Sequence, residues 1–129
     1  MLRAALFALS FVFAALVGAA DLVHLVVKDQ RVENGKILNM EFREIERAAD
    51  ASIVEVTFVS GGSVSSSMFI LRGECAVARA RGKNYFKSQE MPDRPNAYRI
   101  TFPAAAAADL EARLKSGIWA ASDCKKLGF

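Results

Sequence analysis

The sequence predicts an α+β domain, a mostly antiparallel sheet with a main helix at about 63–82 and a C-terminal helix at about 104–116 packed on it. Three observations carry this. β-branched or alternating apolar runs recur at 22–27, 53–59 and 98–102. Helical spacing of apolar residues follows the second run and returns near the end of the chain. The connections between the runs hold an Asn-Gly pair and a Pro-rich stretch, turns short enough to join antiparallel neighbours.

The first twenty residues, MLRAALFALSFVFAALVGAA, read as a secretory signal rather than as a strand or core helix. Arg3 gives the positive start, residues 4–17 the apolar stretch, and Gly18-Ala19-Ala20 the small residues a signal peptidase accepts. A retained anchor is the alternative. The apolar run is short for a span of about 20 residues, and Asp21 follows it with no basic stop-transfer cluster. Cleavage after Ala20 is therefore expected. It leaves residues 21–129 as one small periplasmic or secreted domain with no stable membrane anchor. The first cysteine is Cys75, too distant for a lipid anchor at the cleavage point.

Leu22–Val27 is an apolar run of strand length, and Asn34-Gly35 is a hairpin-grade turn. Residues 37–50 admit two readings. Leu38, Met40 and Phe42 alternate with Asn39, Glu41 and Arg43 as a strand does, while Leu38, Phe42, Ile45 and Ala49 also share a helical face. The preceding turn favours a strand over 37–46. Ile53–Val59 is a clearer strand, with Val54, Val56 and Phe58 on one side.

From Val64 the chain reads as a helix ending at Gly82. At 100° per residue, Phe69, Ile70, Gly73, Ala76, Val77 and Ala80 form a broad arc, and Met68, Leu71, Cys75 and Ala78 a narrow one. Arg72 with Arg79, and Glu74 with Arg81, fall on the two edges between them. Such a helix needs cover on both sides. The broad arc, with its small residues, is expected against the sheet. The narrow arc is expected beneath the segment that carries Cys124.

A hairpin comes next: NYFKSQ (84–89), the connection MPDRPNA, and YRITF (98–102), which Pro103 ends. Residues 104–116 predict a second helix from their alanine propensity, with Leu110 and Leu114 packing inward, a Glu111–Lys115 pair and Gly117 as the stop. The alanine tract as a loose linker is the alternative. Trp119 is expected to anchor the tail leading to Cys124.

Two cysteines delivered to an oxidising compartment pair by default, so Cys75 and Cys124 are expected to form a disulfide. Closing a loop of that length is worth roughly 4 kcal/mol on chain entropy. No histidine stands near either cysteine to make a metal site, and no cofactor motif is present in the sequence.

The stretch SGGSVSSS is the one passage that resembles a phosphate loop. Gly61, Gly62, Ser63, Ser65 and Ser66 would offer N–H groups to an anion at a helix start. The lysine of a nucleotide-binding loop is missing, and Gly61-Gly62 as a turn with Ser63 as helix cap is the simpler reading. His24, the only histidine, lies in an apolar strand with no nucleophile linked to it by spacing. Glu41, Glu44, Glu46 and Asp50 cluster with the polar neighbours of a solvated face.

Net charge is +3 and falls to +2 without Arg3. Residues 21–60 hold eight acids and five bases, residues 61–129 eleven bases and six acids. Arg79, Arg81, Lys83, Lys87, Arg94 and Arg99 therefore make up the candidate partner-binding set. For an exported chain the expected partner is a protein or an acidic envelope component, not nucleic acid. The leading expectation is a non-catalytic interaction protein of the inhibitor, immunity or assembly type. A small envelope hydrolase using His24 or an acidic pair, or an anion binder at the Gly61–Ser67 helix start, are the alternatives.

Overall fold

A computed structural model describes residues 21–60 and 64–129. The expected signal peptide, its cleavage point and the Gly61–Ser63 turn with its Ser63 cap lie outside the described residues.

Strand β1 (His24–Arg31) and strand β2 (Ile37–Arg47) form the first hairpin. Its 3-10 turn places Asn34 and Gly35 at positive φ, as the Asn-Gly pair predicts. Residues 37–47 are strand, and the alternation decides it: Leu38, Met40 and Phe42 are buried while Arg43 stands exposed on the other face. A bulge between Glu44 and Glu46 breaks the competing helical pattern at Ile45. Strand β3 (Ala51–Ser60) pairs with β2, and Val54 and Val56 enter the core.

Helix α1 (Val64–Ala80) then crosses one face of the sheet. Strands β4 (Tyr85–Glu90) and β5 (Ala97–Thr101) make the second hairpin, and β5 returns beside β3. Helix α2 (Leu110–Lys115), strand β6 (Ile118–Ala120) and helix α3 (Ala121–Lys126) complete the chain. The sheet order is β1-β2-β3-β5-β4-β6, antiparallel at every pairing, which is the expected α+β class.

Leu38, Met40, Phe42, Val54, Val56, Phe86 and Ile100 from the sheet meet Phe69, Val77 and Ala78 from α1 in one core. At Gly73 the helix backbone comes close against the sheet. A Cβ added there would stand 2.4 Å from the Phe42 ring, so only glycine fits. Gly82, at φ +62°, ends the helix, with its own N–H and that of Lys83 donating to the carbonyls of Arg79 and Ala78.

Cys75 and Cys124 are bonded, with Cα atoms 5.9 Å apart and a sequence separation of 49. The bridge clasps α3 to α1, as the narrow arc predicts for Cys75 and Ala78. Such a bond suits a non-reducing, extracellular-type compartment. No helix among the described residues is long and apolar enough to cross a membrane.

Three details of the helices depart from expectation. The second helix begins at Leu110, not near 104, because the Asp109 carboxylate accepts from Ala112 N–H and sets the start. The alanine tract before it is irregular, and the carbonyls of Ala107 and Ala108 accept from Arg113. The same guanidinium turns α2 over: Arg113 is buried, while Leu110 and Leu114 are 45 % and 41 % exposed. The Glu111–Lys115 pair is present at 3.7 Å on the solvent side.

Glu74 is the third departure. Expected on a wet edge of α1, it is 7 % exposed. Burial pushes its carboxyl up to about 7. The neighbouring Ser88 hydroxyl acts in the opposite direction, and its Oγ closes no hydrogen bond by distance and angle. Packing Gly73 onto Phe42 and bonding Cys75 to α3 together rotate the covered side of α1 toward Glu74. Arg72, Ala76, Arg79 and Ala80 are left as the stripe with least cover.

Candidate functional site

The helix start already holds an anion, the chain's own. Ser65 donates its N–H, at 3.1 Å, and its hydroxyl to the two carboxylate oxygens of Glu33, which the first hairpin turn presents. The dipole and free N–H groups of a helix start favour such a carboxylate. Of the other candidate residues, Ser66 is buried and Gly61, Gly62 and Ser63 lie outside the described residues.

Acids that the sequence places on a solvated face divide in two. Glu44 is buried, its carboxylate accepting from Val23 N–H at 3.1 Å, Arg47 at 2.6 and 2.9 Å, and the Ser52 hydroxyl at 2.6 Å. Burial alone would raise this carboxyl; the hydrogen bonds of Arg47, Ser52 and Val23, with the Arg47 charge, outweigh it and hold the group below its ordinary value. Ser52 in turn accepts from Arg81 at 3.0 Å. Arg81 also donates to the carbonyls of Ala48, Ala49 and Ala51 and stacks over the Phe102 ring at 4.8 Å. It fastens the end of α1 to the β2–β3 turn, so its charge is engaged within the fold.

A second buried pair joins the tail. Arg113 donates to both Asp123 oxygens, at 2.9 and 3.0 Å, and Ala120 N–H adds a bond of 2.9 Å. Burial would raise Asp123, but the Ala120 and Arg113 bonds and the charges of Arg113 and Lys126 hold it low. Nothing in the sequence spacing marks this pair, because it forms only once β6 has turned the chain back.

The remaining basic candidates do not share one patch. Lys83 stands 5.8 Å from the Phe102 ring beside Arg81. Arg94 pairs with Glu55 at 2.7 Å and continues a ladder of charge over the sheet face away from α1. In that ladder His24 meets Glu41 at 2.9 Å, and Arg43 links Glu41 to Glu55 at 3.8 and 3.6 Å. His24 is exposed, and its ring bonds only Glu41 among the described residues. Lys87 and Arg99 extend from β4 and β5 on this same face, opposite the buried Phe86 and Ile100. Arg79 lies on the other side of the sheet.

Arg79 borders a concavity on the α1 side of the sheet. A groove of about 560 Å³ runs between β1 and α1, with Leu25 on one wall, Ala76 and Ala80 on the other, Phe129 at the far side, and Arg72 and Arg79 along its length. A second depression of about 230 Å³ shares Arg72 and Phe129 and reaches Gln30 on β1, Val32 just after that strand, and Val64 and Met68 on α1. Leu25 thus faces the C-terminal half of the helix and Val32 its N-terminal half, so the groove follows α1 antiparallel to β1. Neither the Arg72 nor the Arg79 side chain makes an ion pair or hydrogen bond among the described residues.

Phe129 reaches this wall because its N–H bonds the Cys124 carbonyl at 3.0 Å, turning the tail back at the disulfide. The Arg72–Arg79 edge is readable at helical spacing, whereas Leu25 and Phe129 come to it only through the fold. Among the described residues no group of three or more His, Cys, Asp or Glu side chains is arranged to hold a metal ion. No protein-family model, curated protein or solved structure matches the chain.

Proposed function

We propose that the protein is exported, loses residues 1–20, and works in the periplasm or outside the cell as a small non-catalytic binding protein. Its partner is an acidic protein, and its role is that of an inhibitor, immunity or assembly partner of an envelope component. The observation that carries this reading is the groove on α1, where two guanidiniums without partners among the described residues flank an apolar floor. Arg72 and Arg79 stand two helical turns apart on one stripe, an arrangement that favours acidic groups while Leu25 and Ala76 receive apolar ones.

The disulfide supports the same reading. It holds α3 and the Phe129 wall in place, so the groove is preformed and binding need not order it. A preformed basic surface steers acidic partners through a field that salt screens.

The test is the association rate of the protein with a partner captured from an envelope extract. Raising salt from low to physiological strength should slow association several-fold. A rate indifferent to salt contradicts the basic-surface reading. Turnover of ester or cell-wall substrates that disappears in His24→Ala would replace it with the hydrolase reading.

A further inference from the structure

Resting on that binding reading, we infer that the groove takes an extended acidic segment of the partner, which adds to the free edge of β1 as a seventh strand. Three features meet here. β1 is an edge strand, hydrogen-bonded to β2 on one side and to no described strand on the other. An exposed edge of this kind is a template for another chain. The groove lies along that edge, between β1 and α1. Its polar rim is cationic, so the complementary strand is acidic.

The usable edge is short. The register shifts between Val27 and Gln30, and Asp29 there takes φ 51° while its N–H bonds the Asn39 side chain. This bulge bends β1 away from a partner beyond Val27, leaving His24–Val27 to pair. That is the part of β1 whose Leu25 lines the groove.

Spacing then defines the segment. Arg72 and Arg79 are seven residues apart on the helix, an axial rise of about 10.5 Å. Alternate residues of a strand share a face, and positions i and i+4 lie about 13 Å apart. Arginine side chains absorb that difference. Acidic residues at i and i+4 of the added strand meet the two guanidiniums, and an apolar residue at i+2 enters between them toward Ala76. The recognised pattern is acidic-x-apolar-x-acidic.

The probe is a fluorescein-labelled decapeptide containing Glu-Thr-Leu-Thr-Glu, followed by fluorescence anisotropy. A control peptide has the same composition with its two acids adjacent. The peptide should bind at least tenfold more tightly than its control and lose at least tenfold in affinity to the R72E/R79E protein. Neither arginine has a partner among the described residues, so that variant should keep its melting temperature. Amide exchange at residues 24–27 should slow on peptide addition.

Equal binding of the two peptides, unchanged affinity in R72E/R79E, or no binding at millimolar peptide would overturn the proposal. So would anionic lipid vesicles binding where the peptide does not, or self-association of the protein through β1. Failure of the groove alone is distinguishable from failure of the binding reading. A captured partner that still binds R72E/R79E at full affinity, with salt-dependent kinetics, removes the groove and leaves the binding function standing.

Discussion

Replacing Glu74 by glutamine should make the protein more stable, and the gain should depend on pH. Below pH 4.5 the carboxyl is protonated in both folded and unfolded chains and contributes no pH dependence. Between 4.5 and about 7 the unfolded chain ionises while the folded one stays protonated, so stability falls as pH rises. Above about 7 the loss is complete. The gap between 4.5 and about 7, at 1.36 kcal/mol per pH unit, amounts to roughly 3 kcal/mol. Glutamine keeps the volume and carries no charge, so E74Q lacks this loss. Urea unfolding of both proteins from pH 4 to 9 reads the difference directly. It should be near zero at pH 4 and about 3 kcal/mol in favour of E74Q at pH 8, a melting shift of roughly 10–20 °C. A difference that stays flat across this range would refute the burial of an ionisable Glu74.

Further outcomes concern the elements that hold the groove together. Gly73→Ala forces a methyl into the Phe42 ring and should cost about 1–3 kcal/mol, read by thermal unfolding; a neutral change would mean that helix and sheet are not in contact there. Reducing Cys75–Cys124 should lower stability by up to about 4 kcal/mol and expose the tail after Ala120 to protease before the sheet, as limited proteolysis with mass mapping would record. Glu44→Gln should cost about 3 kcal/mol near neutral pH, because it sets a neutral amide against Arg47 in place of the buried carboxylate. Since Glu44 titrates low when folded, the wild-type advantage should be present above pH 4.5 and shrink as acid protonates the group. Denaturant titrations at pH 7 and pH 3 distinguish that from a pH-independent packing defect.

Much of the architecture was legible because it rests on local pattern. Asn34-Gly35, the alternation of Leu38, Met40 and Phe42, and Gly82 after a helical run each determine a turn, a strand and a helix end by short-range physics. The pairing of Cys75 with Cys124 followed from there being two cysteines. What escaped was polar and long-range. Glu74, Glu44, Arg113 and Asp123 carry the residue types of a surface, and only tertiary hydrogen bonds or packing turn them inward. Arg113 in particular competes with the apolar pattern of α2: its Nη2 reaches both Asp123 oxygens and its Nη1 two carbonyls, and Leu110 and Leu114 face solvent in consequence. The alanine tract shows the same limit, since high helix propensity yields where Asp109 starts the helix later.

The candidate site divided along the same line. Arg72 and Arg79 can be placed on one stripe of α1 by counting at 100° per residue. The groove they edge depends on Leu25 from the first strand and Phe129 from the tail, brought together across most of the chain. Conversely, Arg79, Arg81, Lys83, Lys87, Arg94 and Arg99 look like one basic run in sequence and separate onto two faces of a sheet. Arg81 is engaged inside the fold and Arg94 in an ion pair.

Export and closure of the clasp underlie the binding reading, and one measurement reaches both. Intact mass should be recorded on protein recovered from its native compartment under alkylating conditions. The expected species begins at Asp21 and takes up no alkylating agent at Cys75 or Cys124. A chain that still carries Met1, with both thiols alkylated, would contradict the account at its base.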